Sequence, residues 1–156
     1  MIHIEVPGWT TLELRHLVLD LNGTLALDGE LVGGVEQRVA LLSAHLTAHL
    51  VTADTQGQAE KIGQRLGCRL VRIEPRYEAS QKQALVERLG AEQVVAIGNG
   101  ANDARMLSAS ALGISILGRE GLAVETLRAA DLVVGCIEDA LDLLLYPQRL
   151  VATLRR

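Results

Sequence analysis

The chain has 156 residues, a net charge of −4 and a hydrophobic fraction of 49%, which aliphatic side chains supply almost alone because Phe is absent. An acidic chain with so few aromatic rings lacks the basic face and the stacking surfaces on which nucleic-acid binding depends, so no nucleic-acid partner is expected. No apolar run approaches the roughly 20 residues of a membrane span, and no secretory signal is recognisable, which predicts a cytoplasmic protein without a membrane partner.

The amino-terminal segment predicts a β-hairpin followed by a buried strand. Apolar and polar residues alternate over 2–6 and again over 12–14, with Pro7-Gly8 as the turn between them. A short apolar run over 16–21 contains Asp20 near its end, and Asn22-Gly23-Thr24 interrupts it. A strand whose carboxyl end carries polar residues is where open α/β sheets bind ligands.

Helical and strand patterns alternate through the remainder of the chain. Helices are predicted near 35–45, 55–66, 80–89, 102–108, 122–129, 137–145 and 147–154, and strands near 49–52, 69–73, 94–97, 112–116 and 131–134. This alternation predicts an α/β fold, a three-layer Rossmann-like parallel sheet with helices on both faces. No linker or repeat interrupts the series, so residues 1–156 are expected to form a single domain, with 1–15 as a hairpin extension.

Four polar clusters lie at the ends of predicted strands or the starts of helices. They are Asp20-Leu21-Asn22-Gly23-Thr24, Thr52-Ala53-Asp54, Lys82 and Gly98-Asn99-Gly100-Ala101-Asn102-Asp103. Each alone is explained by a turn, a helix cap or a solvated charge. Together they favour phosphoryl transfer, because a carboxylate can attack phosphorus and form an aspartyl-phosphate. The two anions that approach each other need a divalent cation, and carboxylate, carbonyl and amide oxygens suit Mg²⁺.

The order of these clusters resembles a known family. D-x-N-G-T, then Thr at a strand end, then Lys, then G-N-G-x-N-D-x-x-M-L is similar to the four motifs of the haloacid dehalogenase-like superfamily. The resemblance covers residues 17–107 directly and the whole chain in its alternation of helices and strands. The segment 98–107 is especially similar to the catalytic domains of P-type ATPases, and the chain as a whole resembles small soluble P-type ATPase-like proteins.

The resemblance implies a magnesium-dependent phosphohydrolase acting on a small phosphorylated substrate or a nucleotide. It assigns the nucleophile to Asp20, catalytic positions to Asn22, Thr52 and Lys82, substrate contacts to Gly23, Thr24, Ala53 and Asn102, and Mg²⁺ ligands to Asp20, Asn22, Asn99 and Asp103. In this assignment Asn22 binds the metal through its backbone carbonyl, and Asn102 helps to orient the site.

Two positions depart from the pattern of the superfamily. Phosphatases of this class usually have Asp two residues after the nucleophile as the general acid and base, and here Asn22 stands there. The fourth motif usually opens with an Asp that binds the metal, and here it opens with Asn99. An amide cannot transfer a proton, and acid–base help is worth about 10²–10⁴-fold. The alternative hypothesis is therefore a catalytically weakened domain that binds a phospho-ligand or a protein partner in a regulatory role.

The spacing of the motifs leaves no room for the cap domain that many members of the superfamily carry. Residues 25–31, with Asp28-Gly29 as the turn, predict only a small flap hairpin beside the site. Such a flap cannot cover the site alone, so either a large substrate or a neighbouring subunit, as in capless relatives, has to cover it. The neighbouring subunit is favoured, and a homo-oligomer, a dimer or a tetramer, is expected; the alternative is a monomer whose lid a large substrate such as a phosphoprotein supplies.

Overall fold

Short strands recur along the chain. In the computed structural model, which describes residues 1–55 and 57–156, they are β1 (Ile2–Val6), β2 (Thr10–Leu14), β3 (His16–Asp20), β4 (Ala26–Leu27), β5 (Glu30–Leu31), β6 (Thr47–Thr52), β7 (Arg69–Arg72), β8 (Val94–Gly98), β9 (Leu112–Ile116) and β10 (Leu132–Val134). A six-stranded sheet has the order β10-β9-β8-β3-β6-β7, and every pairing in it is parallel. The predicted Rossmann-like parallel sheet is confirmed.

Helices connect these strands. They are α1 (Val35–Leu42), α2 (Gln58–Leu66), α3 (Glu78–Leu89), α4 (Ala104–Ala109), α5 (Val124–Ala129), α6 (Ile137–Leu145) and α7 (Pro147–Leu154), with single 3-10 turns at Ala91–Gln93 and Ala101–Asp103. α2 begins at Gln58 rather than near 55, because Gly57 adopts a left-handed conformation with φ of 76° that ends the preceding loop. Residue 56 of the predicted helix lies outside the described residues. Within the described chain, no helix has the length and apolarity needed to cross a bilayer.

The alternation of side chains along β3 divides the core into two layers. Leu17 and Leu19 belong to the hydrophobic cluster that also contains buried residues of α1, α2, α6 and α7. Val18 belongs to the opposite cluster, which α3 and α4 cover. Because successive side chains of a strand point to opposite faces, Asp20 shares the face of Val18 and points toward α3 and α4. This register decides which helix supplies the partner of Asp20.

Two hairpins flank the sheet. β1 and β2 pair antiparallel, and their inward residues Ile4 and Leu12 are buried in the same cluster as Leu17. β4 and β5 form the predicted flap, whose turn residues Asp28 and Gly29 both have positive φ (51° and 85°), as in a type I′ hairpin. In the described chain, only this flap, α1 and β6 lie between residues 24 and 52, and only α2 and β7 lie between β6 and α3. Residues 1–55 and 57–156 therefore form no cap domain.

Candidate active site

Asp20 lies at the carboxyl end of β3. The neighbouring parallel strands β6 and β8 end at the same edge of the sheet. The residue is 8% exposed. Its Oδ1 accepts a hydrogen bond from Lys82 Nζ (2.7 Å), and its Oδ2 accepts one from Thr24 Oγ1 (3.2 Å). Both carboxylate oxygens are therefore held in fixed directions by groups from different parts of the chain.

Lys82 lies in the second turn of α3 and is almost fully buried, with 1% of its surface exposed. Its Nζ lies 2.7 Å from Asp20 Oδ1 and 2.6 Å from Asp103 Oδ1. Burial acts to lower the pKa of Lys82, but the two carboxylates outweigh burial and the pKa is raised above its ordinary value. The side chain is a permanent ammonium, and the cost of its burial explains why it lies between two anions.

Asp103 lies beneath the site rather than in its wall. It is fully buried, and its second oxygen, Oδ2, accepts hydrogen bonds from the backbone amides of Asn99 (3.0 Å) and Gly100 (2.9 Å). A Cβ at Gly98 would lie only 2.5 Å from the Asp103 carboxylate, so the Gly is required for this close approach. With three donors on its two oxygens, Asp103 fixes Lys82 and the loop after β8. The predicted role of Asp103 as a metal ligand does not fit this geometry.

Burial and a neighbouring charge make Asp20 an unusual carboxyl group. Burial and the Asp103 carboxylate raise the pKa of Asp20 to about 7, against the lowering effects of Lys82 and Thr24. When Asp20 is ionised, one ammonium faces two carboxylates in this cluster, so one negative charge lacks a partner within it. A cation bound on the open side of Asp20 would supply that partner.

Thr24 and Asn99 show where such a cation fits. The Thr24 hydroxyl lies 3.2 Å from Asp20 Oδ2 and 3.2 Å from Asn99 Oδ1, and it has a single hydrogen to donate. One of the two oxygens is consequently left with an unfilled acceptor. Asp20, Asn99 and the Asn22 carbonyl form a set of hard oxygen donors, which is the chemistry that Mg²⁺ prefers. The residues present fit a divalent cation, with Asn99 contributing a neutral oxygen.

The sequence-predicted residues meet at one cavity of about 320 Å³. Seven of them line it: Asp20, Asn22, Thr52, Ala53, Lys82, Asn99 and Asn102. Thr52 ends β6 and is buried, and its Oγ1 accepts a hydrogen bond from the Asp54 amide (3.0 Å). Gly23 and Thr24 line a neighbouring cavity of about 460 Å³ under the flap. Thr24 also contacts Asp20 and Asn99, which line the first cavity.

Comparisons with known proteins give relatives for parts of the chain. No model of a known protein family matches it. The chain is 44% identical over 82 residues to the uncharacterized protein MJ0073 of Methanocaldococcus jannaschii, which covers 50% of this chain and 88% of that protein. It is 45% identical over 62 residues to phospholipid-transporting ATPase 2 of Arabidopsis thaliana, which covers 38% of this chain and 5% of the plant protein. The chain and MJ0073 therefore belong to one family.

Solved structures are similar over most of the chain. A 3-deoxy-D-manno-octulosonate 8-phosphate phosphatase from Moraxella catarrhalis, in complex with magnesium and phosphate ions and a sugar acid, has a TM-score of 0.71 at 16% identity, covering 92% of this chain and 94% of that chain. A putative hydrolase of the haloacid dehalogenase family from Streptomyces avermitilis has a TM-score of 0.70 at 19% identity, covering 87% of each chain. The chain therefore shares its fold with these hydrolases. A zinc-transporting P-type ATPase shares this fold over 79% of the present chain and 20% of its own, with a TM-score of 0.65 at 21% identity.

The site also contains acidic residues outside the four sequence motifs. Glu78, in the first turn of α3, accepts a hydrogen bond from the Asn102 side-chain amide. Glu120, in the loop after β9, lines the cavity beside Asn22 and Asn99. Neither lies in a recognisable motif. The only available signal was topological, since loops that follow neighbouring parallel strands converge on one edge of the sheet.

Proposed function

We propose that this chain is a magnesium-dependent phosphohydrolase that forms an aspartyl-phosphate on Asp20 and acts on a small phosphate ester or a nucleotide. The observation that carries the proposal is the ion pair between Lys82 and Asp20 inside a cavity at the carboxyl edge of the sheet (2.7 Å). A lysine buried to this extent is costly unless an anion requires it. Its place beside the nucleophile suits a transferring phosphoryl group, which carries more negative charge than a resting carboxylate.

In the first step an oxygen of Asp20 attacks phosphorus, and the bond from phosphorus to the leaving oxygen breaks. Lys82 holds the attacking carboxylate in place and offsets the charge of the phosphoryl oxygens. Thr52, at the end of the adjacent strand β6, lines the same cavity and offers a hydroxyl donor to one of those oxygens. The second step is attack of water on the aspartyl-phosphate, which returns Asp20 as a carboxylate and releases phosphate.

Mg²⁺ would be held by the Asp20 carboxylate, the Asn22 backbone carbonyl and the Asn99 side-chain oxygen, and it would neutralise charge between the nucleophile and the phosphoryl group. The backbone between residues 21 and 26 supports this assignment. The Gly23 amide donates to the Ala26 carbonyl (2.8 Å) and the Ala26 amide donates to the Leu21 carbonyl (3.0 Å), and the Asn22 carbonyl takes part in neither bond.

Asn22 makes the second step the slow one. Its side chain lies at the exposed rim of the cavity, where the general acid and base of the superfamily's phosphatases would stand. An amide cannot accept the proton of the attacking water, so the phosphoenzyme should persist. The same observation is what supports the alternative function, a regulatory domain that binds a phospho-ligand without turning it over.

The organic part of the substrate has space in the neighbouring cavity of about 460 Å³, lined by Leu27 and Leu31 of the flap and by Arg119 and Glu138 on the opposite side. Apolar and charged groups of both signs suit a small polar metabolite or a nucleoside. The flap would then select the leaving group while Asp20 and Lys82 handle the phosphoryl group.

Release of inorganic phosphate from an aryl phosphate and from ATP, with Mg²⁺ and with a chelator, tests the proposal. The expected result is release that requires Mg²⁺ in wild-type protein and is lost in Asp20→Asn. Repeated turnover supports the phosphohydrolase. A single stoichiometric burst, or binding of phosphate compounds without release, favours the regulatory alternative. Equal release by wild type and Asp20→Asn would contradict the mechanism.

A further inference from the structure

Both polar atoms of the Asn99 side chain contact other groups of the chain. Its Oδ1 lies 3.2 Å from the Thr24 hydroxyl, and its Nδ2 donates to the backbone carbonyl of Gly121 (3.3 Å). Its own backbone carbonyl accepts a hydrogen bond from the Ala123 amide (3.0 Å). Asn99 thus binds the loop that follows β9 through both its backbone and its side chain. A carboxylate at position 99 could not donate to the Gly121 carbonyl, so the amide is what this contact requires.

The loop bound by Asn99 is a tight turn whose tip faces the site. Gly118 and Gly121 form a bridge, with the Gly121 amide donating to the Gly118 carbonyl (3.0 Å), and Gly121 has a φ of 85°. The two residues between them are Arg119 and Glu120. The turn therefore fixes the backbone of Glu120 relative to Asn99, although the Glu120 side chain itself is exposed.

The Glu120 carboxylate lies directly over the loop that follows Asp20. A Cβ built on Gly23 would lie 2.2 Å from Glu120 Oε2 and 2.9 Å from Asn99 Nδ2, so the absence of a side chain at Gly23 leaves the space that Glu120 enters. Gly23 also has a φ of 78°, which favours glycine independently. Glu120 shares the cavity of about 320 Å³ with Asp20, Asn22 and Asn99. Its oxygen lies beside Gly23, on the side where a β-carbon would project.

The charge of this region is unfavourable without a cation. Glu120 makes no ion pair with any side chain of the described residues, and Lys82, which lines the same cavity, already pairs with Asp20 and Asp103. Like charges that face one cavity repel each other and raise the free energy of the folded protein, unless an ion of opposite sign binds between them. Asn99 has meanwhile removed one carboxylate from the position that binds the metal in the superfamily pattern.

We propose that Glu120 is a metal ligand of this site and replaces the carboxylate that Asn99 lacks. In this arrangement Asn99 acts mainly as a positioning residue that holds the Glu120 loop in place. The inference rests on the proposed magnesium-dependent function, and it assigns the anionic ligand to a loop outside the four motifs. It also explains the amide at position 99, because Asn99 keeps a neutral oxygen at the site, lacks the negative charge of a carboxylate, and secures the loop from which Glu120 returns that charge.

Binding of Mn²⁺ alone, followed by the electron paramagnetic resonance signal of the free ion, tests this assignment without relying on activity. Glu120→Gln should weaken Mn²⁺ binding by at least roughly tenfold, the lower end of the loss seen when even an outer-sphere partner is removed. Glu125→Gln is the matched control, because Glu125 is an exposed glutamate on α5 and loses the same charge. It should bind Mn²⁺ as wild type does. Asn99→Asp in the Glu120→Gln background should recover binding, because it returns a carboxylate to the site.

The outcomes separate this inference from the proposed function. Wild-type protein that binds Mn²⁺, together with Glu120→Gln that binds it equally well, would overturn the role of Glu120 and leave the metal-dependent function standing. Wild-type protein that binds no Mn²⁺ would overturn both. Glu120 is exposed, so the variant should fold, and an unchanged thermal unfolding midpoint without metal verifies that the loss is local.

Discussion

Replacement of Lys82 by Met removes the only ammonium of the buried cluster while keeping most of the side-chain volume. The Nζ atom lies 2.7 Å from Asp20 and 2.6 Å from Asp103. At an effective dielectric constant of about 20, each of these contacts has a gross Coulomb energy of about 6 kcal/mol, most of which offsets the cost of burying the charges. The loss of stability in Lys82→Met therefore measures the cost of burying the Asp20 and Asp103 carboxylates without a cation. Loss of one partner of a buried ion pair typically costs about 3–5 kcal/mol.

We therefore expect Lys82→Met to lower the free energy of unfolding by about 3–5 kcal/mol, measured by urea denaturation without divalent metal and followed by circular dichroism. Lys61→Met is the matched control, since Lys61 is the other lysine of the chain and is exposed on α2. It should change stability by less than about 0.5 kcal/mol. Asp103→Asn in the Lys82→Met background should recover part of the loss, because it removes one uncompensated anion.

A Lys82→Met variant within about 1 kcal/mol of wild type would refute this reasoning. Such a result would mean that water or a proton already compensates Asp20 and Asp103. The site would then not lack positive charge, and both the magnesium assignment and the Glu120 proposal would lose their basis.

Three further predictions concern turnover, pH and assembly. Asn22→Asp should raise steady-state phosphate release by roughly tenfold or more, because it restores a group that can accept the proton of water; no change in a protein that still binds Mg²⁺ would remove Asn22 as the bottleneck. Burial, His16, Arg69 and Arg88 lower the pKa of His49 to about 4, so the unfolded chain takes up a proton before the folded chain as the pH falls. The free energy of unfolding should therefore fall between about pH 6.5 and pH 4. Measured by chemical denaturation, wild type should lose about 2 kcal/mol more than His49→Gln between pH 7 and pH 5. Equal losses would contradict the lowered pKa of His49. The predicted homo-oligomer should show a light-scattering mass of two or four times 16.8 kDa, and a mass of one chain would sink that prediction.

The sheet and the motif positions were predictable from the sequence because they follow from local patterns. Apolar runs that end in polar residues mark buried parallel strands. Asp20 and Thr52 accordingly end β3 and β6, and Lys82 lies in the predicted helix α3. Element ends were less predictable. The start of α2 depends on the left-handed conformation of Gly57, and the pattern of apolar residues does not contain that information.

The departures at the site arose from contacts between distant segments. The family resemblance implied Asp103 as a metal ligand, yet the amides of Asn99 and Gly100 donate to its second oxygen. Glu120 could not be predicted, because its place over Gly23 depends on a turn between Gly118 and Gly121 that lies outside the four motifs and approaches the site only in the folded chain. Residue type and order identify the chemistry that is available at a site, and the folded structure decides which group performs it.

The most direct test of the central claim is mass spectrometry of protein that is quenched in acid during reaction with an aryl phosphate and Mg²⁺. Because Asn22 cannot accept the proton of the attacking water, hydrolysis of the phosphoenzyme should be slow, and we expect the aspartyl-phosphate to accumulate. The peptide that contains Asp20 should gain the mass of one phosphoryl group, and Asp20→Asn should show no such gain. Phosphate release without any phosphorylated peptide in wild type, or a phosphoryl group on another residue, would contradict it.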